Sequence, residues 1–130
     1  PLIVDDLVVI PVGSKDGTAE SGLWALNKSS GELVWKAGAF QPSYASPVLM
    51  KLLDQKQIVS VNQDCVTAHD PSTGRTLWNW PWPGKSNGEA NLSQPHHIGE
   101  NQVFLSKGYA AGSQLLKLNL DGEQIWKVQK

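Results

Sequence analysis

Residues 70–84 read DPSTGRTLWNWPWPG, and this stretch carries tryptophan at positions 78, 80 and 82. The chain has 130 residues and six tryptophans, so half of its indoles lie in this one segment. A glycine turn followed by alternating apolar residues predicts a β-hairpin whose second strand carries those side chains on one face. The stretch therefore predicts a strand that packs through its tryptophans.

Two further segments of the chain repeat this pattern. The three copies are LWALNKSSGELVWK from Leu23, VTAHDPSTGRTLWN from Val66 and LLKLNLDGEQIWK from Leu115. Their turn glycines are Gly31, Gly74 and Gly122, their tryptophans are Trp35, Trp78 and Trp126, and both sets are spaced by 43 and 48 residues. Two markers with the same spacings indicate an internal repeat.

Each repeat contains four short runs of β-branched and apolar residues, separated by turn signals such as DD, DQK, SSG and STG. The runs alternate with period two, and we find no helical periodicity over ten or more residues. Four strands in about 45 residues is the size of one blade of a β-propeller. We therefore predict an all-β chain, a β-propeller segment of three four-stranded antiparallel blades at approximately residues 1–38, 44–82 and 93–130.

The repeated tryptophan comes near the end of the fourth, outermost strand of each blade, where the gap between neighbouring blades widens. Burying one indole removes about 150–250 Å² from water, which is worth at most about 4–6 kcal/mol. We predict that these rings fasten each blade to the next. Trp80 and Trp82 are predicted to extend this packing outward; the alternative is an exposed aromatic platform for a ligand.

Composition excludes several classes of function. The net charge is −1 and the basic residues form no run, so no nucleic-acid partner is expected. No apolar stretch approaches the roughly 20 residues of a membrane-spanning helix, so no membrane span is expected. Cys65 is the single cysteine, which excludes an internal disulfide, and its alternating context predicts a packed thiol.

The chain contains no motif that predicts catalysis or metal binding. The segment GSKDG from Gly13 lacks the ending of a phosphate-binding loop, and there is no GxSxG sequence. His96 and His97 are adjacent, so on a strand they point to opposite faces and are poorly placed to share a metal. No catalytic, cofactor-binding or metal-binding residue is therefore predicted.

The long connections of the chain all fall on one side of the predicted blades. In a four-stranded meander, the connections after the second and fourth strands lie at the same end, and here these are mostly the long ones. Long loops on a rigid scaffold commonly carry binding functions. The candidate binding residues are Lys85, Asn87, Glu89, Asn91, Gln94, Lys107 and Tyr109. The alternative is that these are ordinary solvated loops.

The segments ALNKSSGELVW and AHDPSTGRTLW resemble the tryptophan-docking motif of the propeller repeats of the pyrroloquinoline-quinone (PQQ) type. That pattern is Ala, a spacer, Asp, two residues, Thr-Gly-Lys, two residues and Trp. The second copy matches it at Ala68, Asp70, Thr73, Gly74 and Trp78; the first has Asn27 for Asp and Ser30 for Thr. The third copy has Lys117 for Ala and is one residue shorter in the turn. The resemblance covers essentially the whole chain and implies the propeller fold.

Relatives of this type include quinoprotein dehydrogenases, which bind PQQ and calcium, and non-catalytic scaffolds such as the propeller lipoprotein of the outer-membrane protein assembly machine. The dehydrogenases carry a vicinal disulfide, which a chain with one cysteine lacks. No local loop has the density of carboxylates and amides that calcium requires. The resemblance therefore implies a non-catalytic scaffold without PQQ and calcium, with a protein or polymer partner, in the periplasm or cell envelope.

Three blades are too few to close a propeller, which typically has four to eight. Two apolar blade faces would remain open, so we expect these faces to meet the remaining blades of a ring or a second copy of the chain, as in a homodimer. Two alternative functions remain at this point. One is a part of a quinoprotein enzyme whose catalytic residues lie in absent blades. The other is a carbohydrate-binding propeller that uses Trp80, Trp82 and Tyr109.

Overall fold

The computed structural model of the chain describes residues 1–14, 21–83, 90–108, 112–120 and 126–129, and these contain β-strands and no helix. The strands, numbered in chain order, are β1 Leu2–Val4, β2 Leu7–Val12, β3 Gly22–Asn27, β4 Leu33–Ala37, β5 Val48–Leu52, β6 Gln55–Val61, β7 Cys65–His69, β8 Thr76–Pro81, β9 His96–Ile98, β10 Gln102–Lys107, β11 Gly112–Leu120 and β12 Trp126–Gln129.

These strands form three four-stranded sheets, each with its strands in sequential order: β1 to β4, β5 to β8 and β9 to β12. Every pairing within the sheets is antiparallel. We call them sheets 1, 2 and 3. The described strands do not close into a ring. The prediction of an incomplete β-propeller of three four-stranded blades is confirmed.

The turns after β3 and β7 explain why the repeat contains Asn or Asp followed by Gly. Oδ1 of Asn27 accepts hydrogen bonds from the amides of Ser29 and Ser30 at 2.9 and 3.0 Å. Oδ1 of Asp70 does the same for the two residues after Pro71, at 2.9 and 3.1 Å. Each turn ends in a glycine with φ of +75°, a conformation that side chains disfavour. The short polar side chain and the glycine together specify the turn.

Trp35 joins sheet 1 to sheet 2. Its indole is 8% exposed and lies directly on the turn glycine of the next sheet, where a Cβ on Gly74 would come within 2.6 Å of the ring. Its Nε1 donates a hydrogen bond to the Pro71 carbonyl at 3.1 Å. Val9, Leu23 and Ile58 belong to the same buried cluster. Trp35 therefore packs against the neighbouring sheet through shape, apolar contact and one directed bond.

Three tryptophans of β8 and the residues after it face sheet 3. Trp78 and Trp82 are 5% exposed each and belong to one buried cluster with Val103 and Leu116. The Nε1 atoms of Trp78 and Trp80 donate to Oε1 of Gln57 at 2.8 Å and of Gln114 at 3.0 Å. Trp82 is buried and Trp80 is half-buried. The structure thus places both rings in packing between sheets, and the hypothesis of an exposed aromatic platform loses its main support.

The third repeat is described only in part. Gly122 lies outside the described residues. The backbone of β12 pairs with β11 so that Trp126 is opposite Leu120. The proposed role of Trp126 as a fastener between blades therefore stays a prediction.

Replacing Trp35 by alanine is expected to lower the free energy of unfolding by about 3–5 kcal/mol, because it leaves a cavity between two sheets. Trp24→Ala is the matched control, since this half-buried indole lies on the opposite face of the same sheet. Its loss is expected to cost about 1 kcal/mol. Urea unfolding followed by circular dichroism measures both, and equal losses would contradict the assigned role of Trp35.

Candidate functional site: the long-loop face

The candidate site is the end of the sheets formed by the connections after β2, β4, β6, β8 and β10, which we call the long-loop face. Of the residues predicted there, Lys85, Asn87, Glu89 and Tyr109 lie outside the described part of the chain. The structure describes Asn91, Gln94 and Lys107. These three occupy different environments, and only Gln94 is exposed.

Asn91 is 2% exposed and lies where three segments of backbone converge. Its Nδ2 lies within hydrogen-bond distance of the carbonyls of Asn62, Gln63 and Trp82, at 2.7, 3.0 and 3.2 Å. Its Oδ1 is buried and has no partner among the described residues. The side chain therefore acts as a donor that joins the β6–β7 turn to the segment after β8. Its role is to hold the backbone of the long-loop face in place.

Ser43 connects the same point to the β4–β5 connection. Its hydroxyl donates to the Asn91 carbonyl at 2.7 Å and accepts a hydrogen bond from the Asn91 amide at 2.6 Å. The amide of Tyr44 donates to the same Asn91 carbonyl at 3.1 Å. Two connections that are 48 residues apart in sequence are thus held together by a reciprocal pair of bonds.

Lys107 adds a link from sheet 3. Its Nζ lies 4.2 Å from the centroid of the Trp82 ring and donates to the carbonyl of Pro83. A cation over an indole face is attracted by the ring quadrupole. The ammonium group is therefore engaged in fixing the end of β8 against the end of β10.

Two exposed apolar side chains stand on this fixed base, and sequence reasoning missed both. Tyr44 is 79% exposed and Leu92 is 59% exposed. Their backbones are neighbours, because the Tyr44 amide donates to the carbonyl of Asn91, the residue that precedes Leu92. The sequence signal that could have identified Tyr44 is a tyrosine at the end of the long AGAFQPSY loop. Gln94, which is also exposed, follows Leu92 by two residues on the same connection.

A chain of buried hydrogen bonds runs from this face through sheet 2. Ser60 donates to Oδ1 of Asn62 at 3.0 Å, and Nδ2 of Asn62 donates to the Thr67 hydroxyl at 3.1 Å. Nε2 of His69 lies 2.9 Å from that hydroxyl, and its Nδ1 lies 3.0 Å from the Gly74 carbonyl. Since a carbonyl only accepts, Nδ1 carries the proton and Nε2 accepts from Thr67.

His69 is fully buried at this position, against Phe40 at 5.8 Å between ring centroids. Burial lowers the pKa of His69 from its ordinary value of 6.5, and the bond to the Gly74 carbonyl opposes that shift. The neutral ring is therefore the form that fits the chain of hydrogen bonds. A protonated Nε2 could no longer accept the Thr67 proton.

The described residues contain no group of three or more His, Cys, Asp or Glu side chains that could hold a metal ion. Cys65 is half-buried, and burial raises the pKa of its thiol. His96 and His97 are both exposed on β9.

A cavity of about 470 Å³ lies at the opposite end of the molecule, between sheets 1 and 2. Asp5, Lys56 and Asp70 are among its lining residues. The carboxylate of Asp70 is already committed through Oδ1 to its own turn, with the Ser72 hydroxyl at 2.6 Å. The hydrogen bond from this hydroxyl is the main cause that lowers the pKa of Asp70. This end is therefore built mainly of turn structure.

Comparison with known proteins identifies the repeat. The family model described as outer membrane protein assembly factor BamB matches residues 2–130. No curated protein and no solved structure matches the chain. The predicted resemblance to PQQ-type propeller repeats is confirmed by the family match. In the described part of the chain, no helix has the length and apolar character needed to cross a membrane.

Asn91→Ala is expected to cost about 1–3 kcal/mol of unfolding free energy, because three backbone carbonyls lose a buried donor. Gln94→Ala, at an exposed position three residues away, is the control and should stay within about 0.5 kcal/mol of the parent. Hydrogen exchange locates the effect: the amides of Tyr44 and Trp82 should exchange faster in Asn91→Ala alone. Unchanged protection at both amides would exclude the positional role of Asn91.

Lowering the pH is expected to destabilise the chain through His69. The folded chain binds this proton less readily than the unfolded chain, so the stability is fully present above pH 6.5 and is lost below it. From about pH 7.5 to about pH 5.5, the loss from this group is at most about 1.4 kcal/mol. His69→Gln should remove that part of the pH dependence, whereas His96→Gln should keep it. Identical profiles for all three proteins would refute the assignment.

Proposed function

The chain belongs to the family of the outer membrane protein assembly factor BamB, and we propose that it is a non-catalytic propeller-repeat module that presents its long-loop face to a protein partner. In this proposal the three sheets are three blades, at approximately residues 1–38, 44–82 and 93–130. The family name indicates a partner that takes part in the assembly of outer-membrane proteins, and a location in the periplasm or cell envelope.

The observation that carries this proposal is the exposure of Tyr44 and Leu92 on a rigid base. Large apolar side chains exposed on such a base are typical of interaction surfaces, and tyrosine is enriched where proteins meet. The base is stiff because Asn91 and Ser43 fix the backbone from which these two side chains project. A pre-organised surface loses less conformational entropy on binding.

The chemistry of this surface suits a protein better than a nucleic acid. The net charge of the chain is −1, and the ammonium group of Lys107 is engaged with Trp82 and Pro83. Tyr44 offers a flat ring with one hydroxyl, Leu92 offers an aliphatic side chain, and Gln94 offers an amide. The partner surface should be apolar, with hydrogen-bonding groups at its edge.

We also propose that the outer faces of sheets 1 and 3 meet further blades or a second copy of the chain. Ile3 and Val34 of sheet 1 are 61% and 51% exposed. Ile98 and Leu115 of sheet 3 are 44% and 42% exposed. Apolar exposure on both terminal sheets is expected for a stack of blades that continues.

Photo-crosslinking from the long-loop face tests the binding role. A photoreactive residue at Gln94 is expected to crosslink one envelope protein, whereas the same residue at Arg75, in the turn at the opposite end of sheet 2, should not. The captured protein is then purified and titrated against the chain by calorimetry. Tyr44→Ser with Leu92→Ser should weaken binding at least about tenfold.

Ile98→Ser is the matched control, because it removes an exposed apolar side chain of β9 at 44% exposure and should leave the affinity unchanged. Equal weakening by Ile98→Ser, or equal crosslinking from Arg75, would contradict the long-loop face as the binding surface. Addition of PQQ and calcium to the same preparation checks the non-catalytic role: cofactor absorbance that stays with the protein would contradict it.

A further inference from the structure

The cavity between sheets 1 and 2, at the end opposite the long-loop face, has walls from both sheets. Sheet 1 contributes residues 4–7 at the turn between β1 and β2. Sheet 2 contributes Gln55 and Lys56 of β6 and residues 70–72 of the next turn. The volume of about 470 Å³ is in the range of ordinary small-molecule sites. Both walls are described residues of this chain, so the cavity is formed without any further blade.

Two acidic side chains at this cavity keep oxygen atoms without a hydrogen-bond donor among the described residues. Asp5 uses only its carbonyl, which accepts from the Lys28 ammonium at 2.8 Å, and its exposed carboxylate has no such partner. Asp70 accepts the three hydrogen bonds of its own turn on Oδ1, which leaves Oδ2 without a donor. Asp6 differs, because it pairs with Lys28 at 3.1 Å. Two negative charges are therefore available to a ligand.

Lys56 supplies the opposite charge at the same cavity. Its ammonium group is exposed and forms no ion pair with a described residue. The wall between these charged groups is apolar, because Val4 is buried there and Leu7 and Pro71 are half-buried. The cavity therefore combines two free negative charges, one free positive charge and an aliphatic wall.

A second cavity, of about 400 Å³, lies at the same end between sheets 2 and 3 and lacks this combination. Its lysine, Lys51, is paired with Asp54 at 3.0 Å. Oδ1 of Asn101, which also lines it, accepts a hydrogen bond from the Leu53 amide at 2.8 Å. The ammonium group of the second cavity is thus already neutralised within the chain, whereas that of Lys56 is free.

We propose that the cavity between sheets 1 and 2 binds a free basic α-amino acid, of the class of arginine and lysine. Near pH 7 such a molecule carries two positive groups and one negative group, which match the free charges of the cavity in sign and number. The positive groups meet Asp5 and Asp70, and the carboxylate meets Lys56. The aliphatic stem lies along Val4 and Leu7, as the stems of basic side chains do on apolar surface. We call this the amino-acid cavity.

The amino-acid cavity goes beyond the binding role of the long-loop face and does not depend on it, because the two lie at opposite ends of sheet 2. A guanidinium group suits the cavity best, since its five N–H donors can be shared between oxygens on two walls, whereas an ammonium group is a point charge. Exposed ion pairs are individually weak, so we expect binding in the millimolar range, for which NMR spectroscopy is the suitable measurement.

Titration of the whole ¹⁵N-labelled chain with L-arginine at constant ionic strength tests the cavity. The amide resonances of Asp5, Leu7, Gln55 and Ser72 are expected to shift with one midpoint. L-Citrulline, which has an uncharged side chain of the same shape, should bind at least about fivefold more weakly, and so should agmatine, which lacks the carboxylate. Guanidinium chloride at the same concentration should not produce these shifts, because it has no stem for the apolar wall.

Two double variants form a matched pair. Asp5→Asn with Asp70→Asn removes both free negative charges and keeps the turn, because Asn27 accepts the same two amide hydrogen bonds in the equivalent turn of sheet 1. This variant should lose the binding of arginine. Asp54→Asn with Glu100→Gln removes two negative charges from the second cavity and should bind arginine normally. Urea unfolding of both variants checks that they remain folded.

Lys56→Gln should bind arginine and agmatine equally, because only the ligand carboxylate contacts Lys56. Several results would overturn the proposal: no shift at millimolar arginine, equal binding of citrulline, equal binding to the variant of Asp5 and Asp70, or shifts at Asp54 and Glu100 instead. Tighter binding of Nα-acetylarginine amide than of arginine would overturn the assignment to a free amino acid. None of these results concerns the long-loop face, so failure of the amino-acid cavity leaves that role standing.

Discussion

The fold depends on an indole ring that lies against a glycine of the next sheet. Trp35 reaches across to Gly74 and donates to the carbonyl of Pro71, so one side chain supplies both apolar contact and orientation. The contact requires the absence of a Cβ, and the positive φ that glycine allows places the bare backbone under the ring. Without it, the two twisted sheets would be joined mainly by aliphatic side chains and Phe40, and apolar contact of this kind specifies distance better than relative orientation.

Buried polar groups fix the relative orientation of the sheets and loops, which apolar contact alone does not specify. Asn91 gathers three carbonyls at the long-loop face, while the chain from Ser60 to His69 carries directed hydrogen bonds through the interior of sheet 2 to the carbonyl of Gly74. Such buried networks stabilise only when their donors and acceptors are matched, so they favour a single arrangement. The Gly74 turn and the long-loop face are in this way parts of one connected framework.

The flat faces of the sheets and the long-loop face have different roles. The flat faces of the sheets hold blades together, and the loop end carries exposed side chains whose backbone is already fixed. The proposed binding through Tyr44 and Leu92 requires that division, because the surface must keep its shape while the loops vary. The apolar exposure of Ile3 and Val34 on sheet 1 belongs to the first kind of surface, and that of Tyr44 and Leu92 to the second.

Local sequence patterns are enough to predict the strands and their grouping. The Gly-to-Trp spacing predicts three blades, and apolar alternation between Asn or Asp turns predicts their strands, because these patterns reflect local backbone preference. The loop lengths in the sequence also predict which end of the sheets forms the long-loop face. The packing of the sheets determines which side chains are accessible there. Of the predicted candidates, Asn91 is buried and Lys107 is bound to Trp82, whereas Tyr44, which was not predicted, is exposed. Likewise, two turns with equal sequence signals have different neighbours: Gly74 lies under the Trp35 ring, whereas no described atom lies within 4 Å of the Cβ position of Gly31. Burial and partnership depend on what a neighbouring sheet places there, and local sequence does not record that.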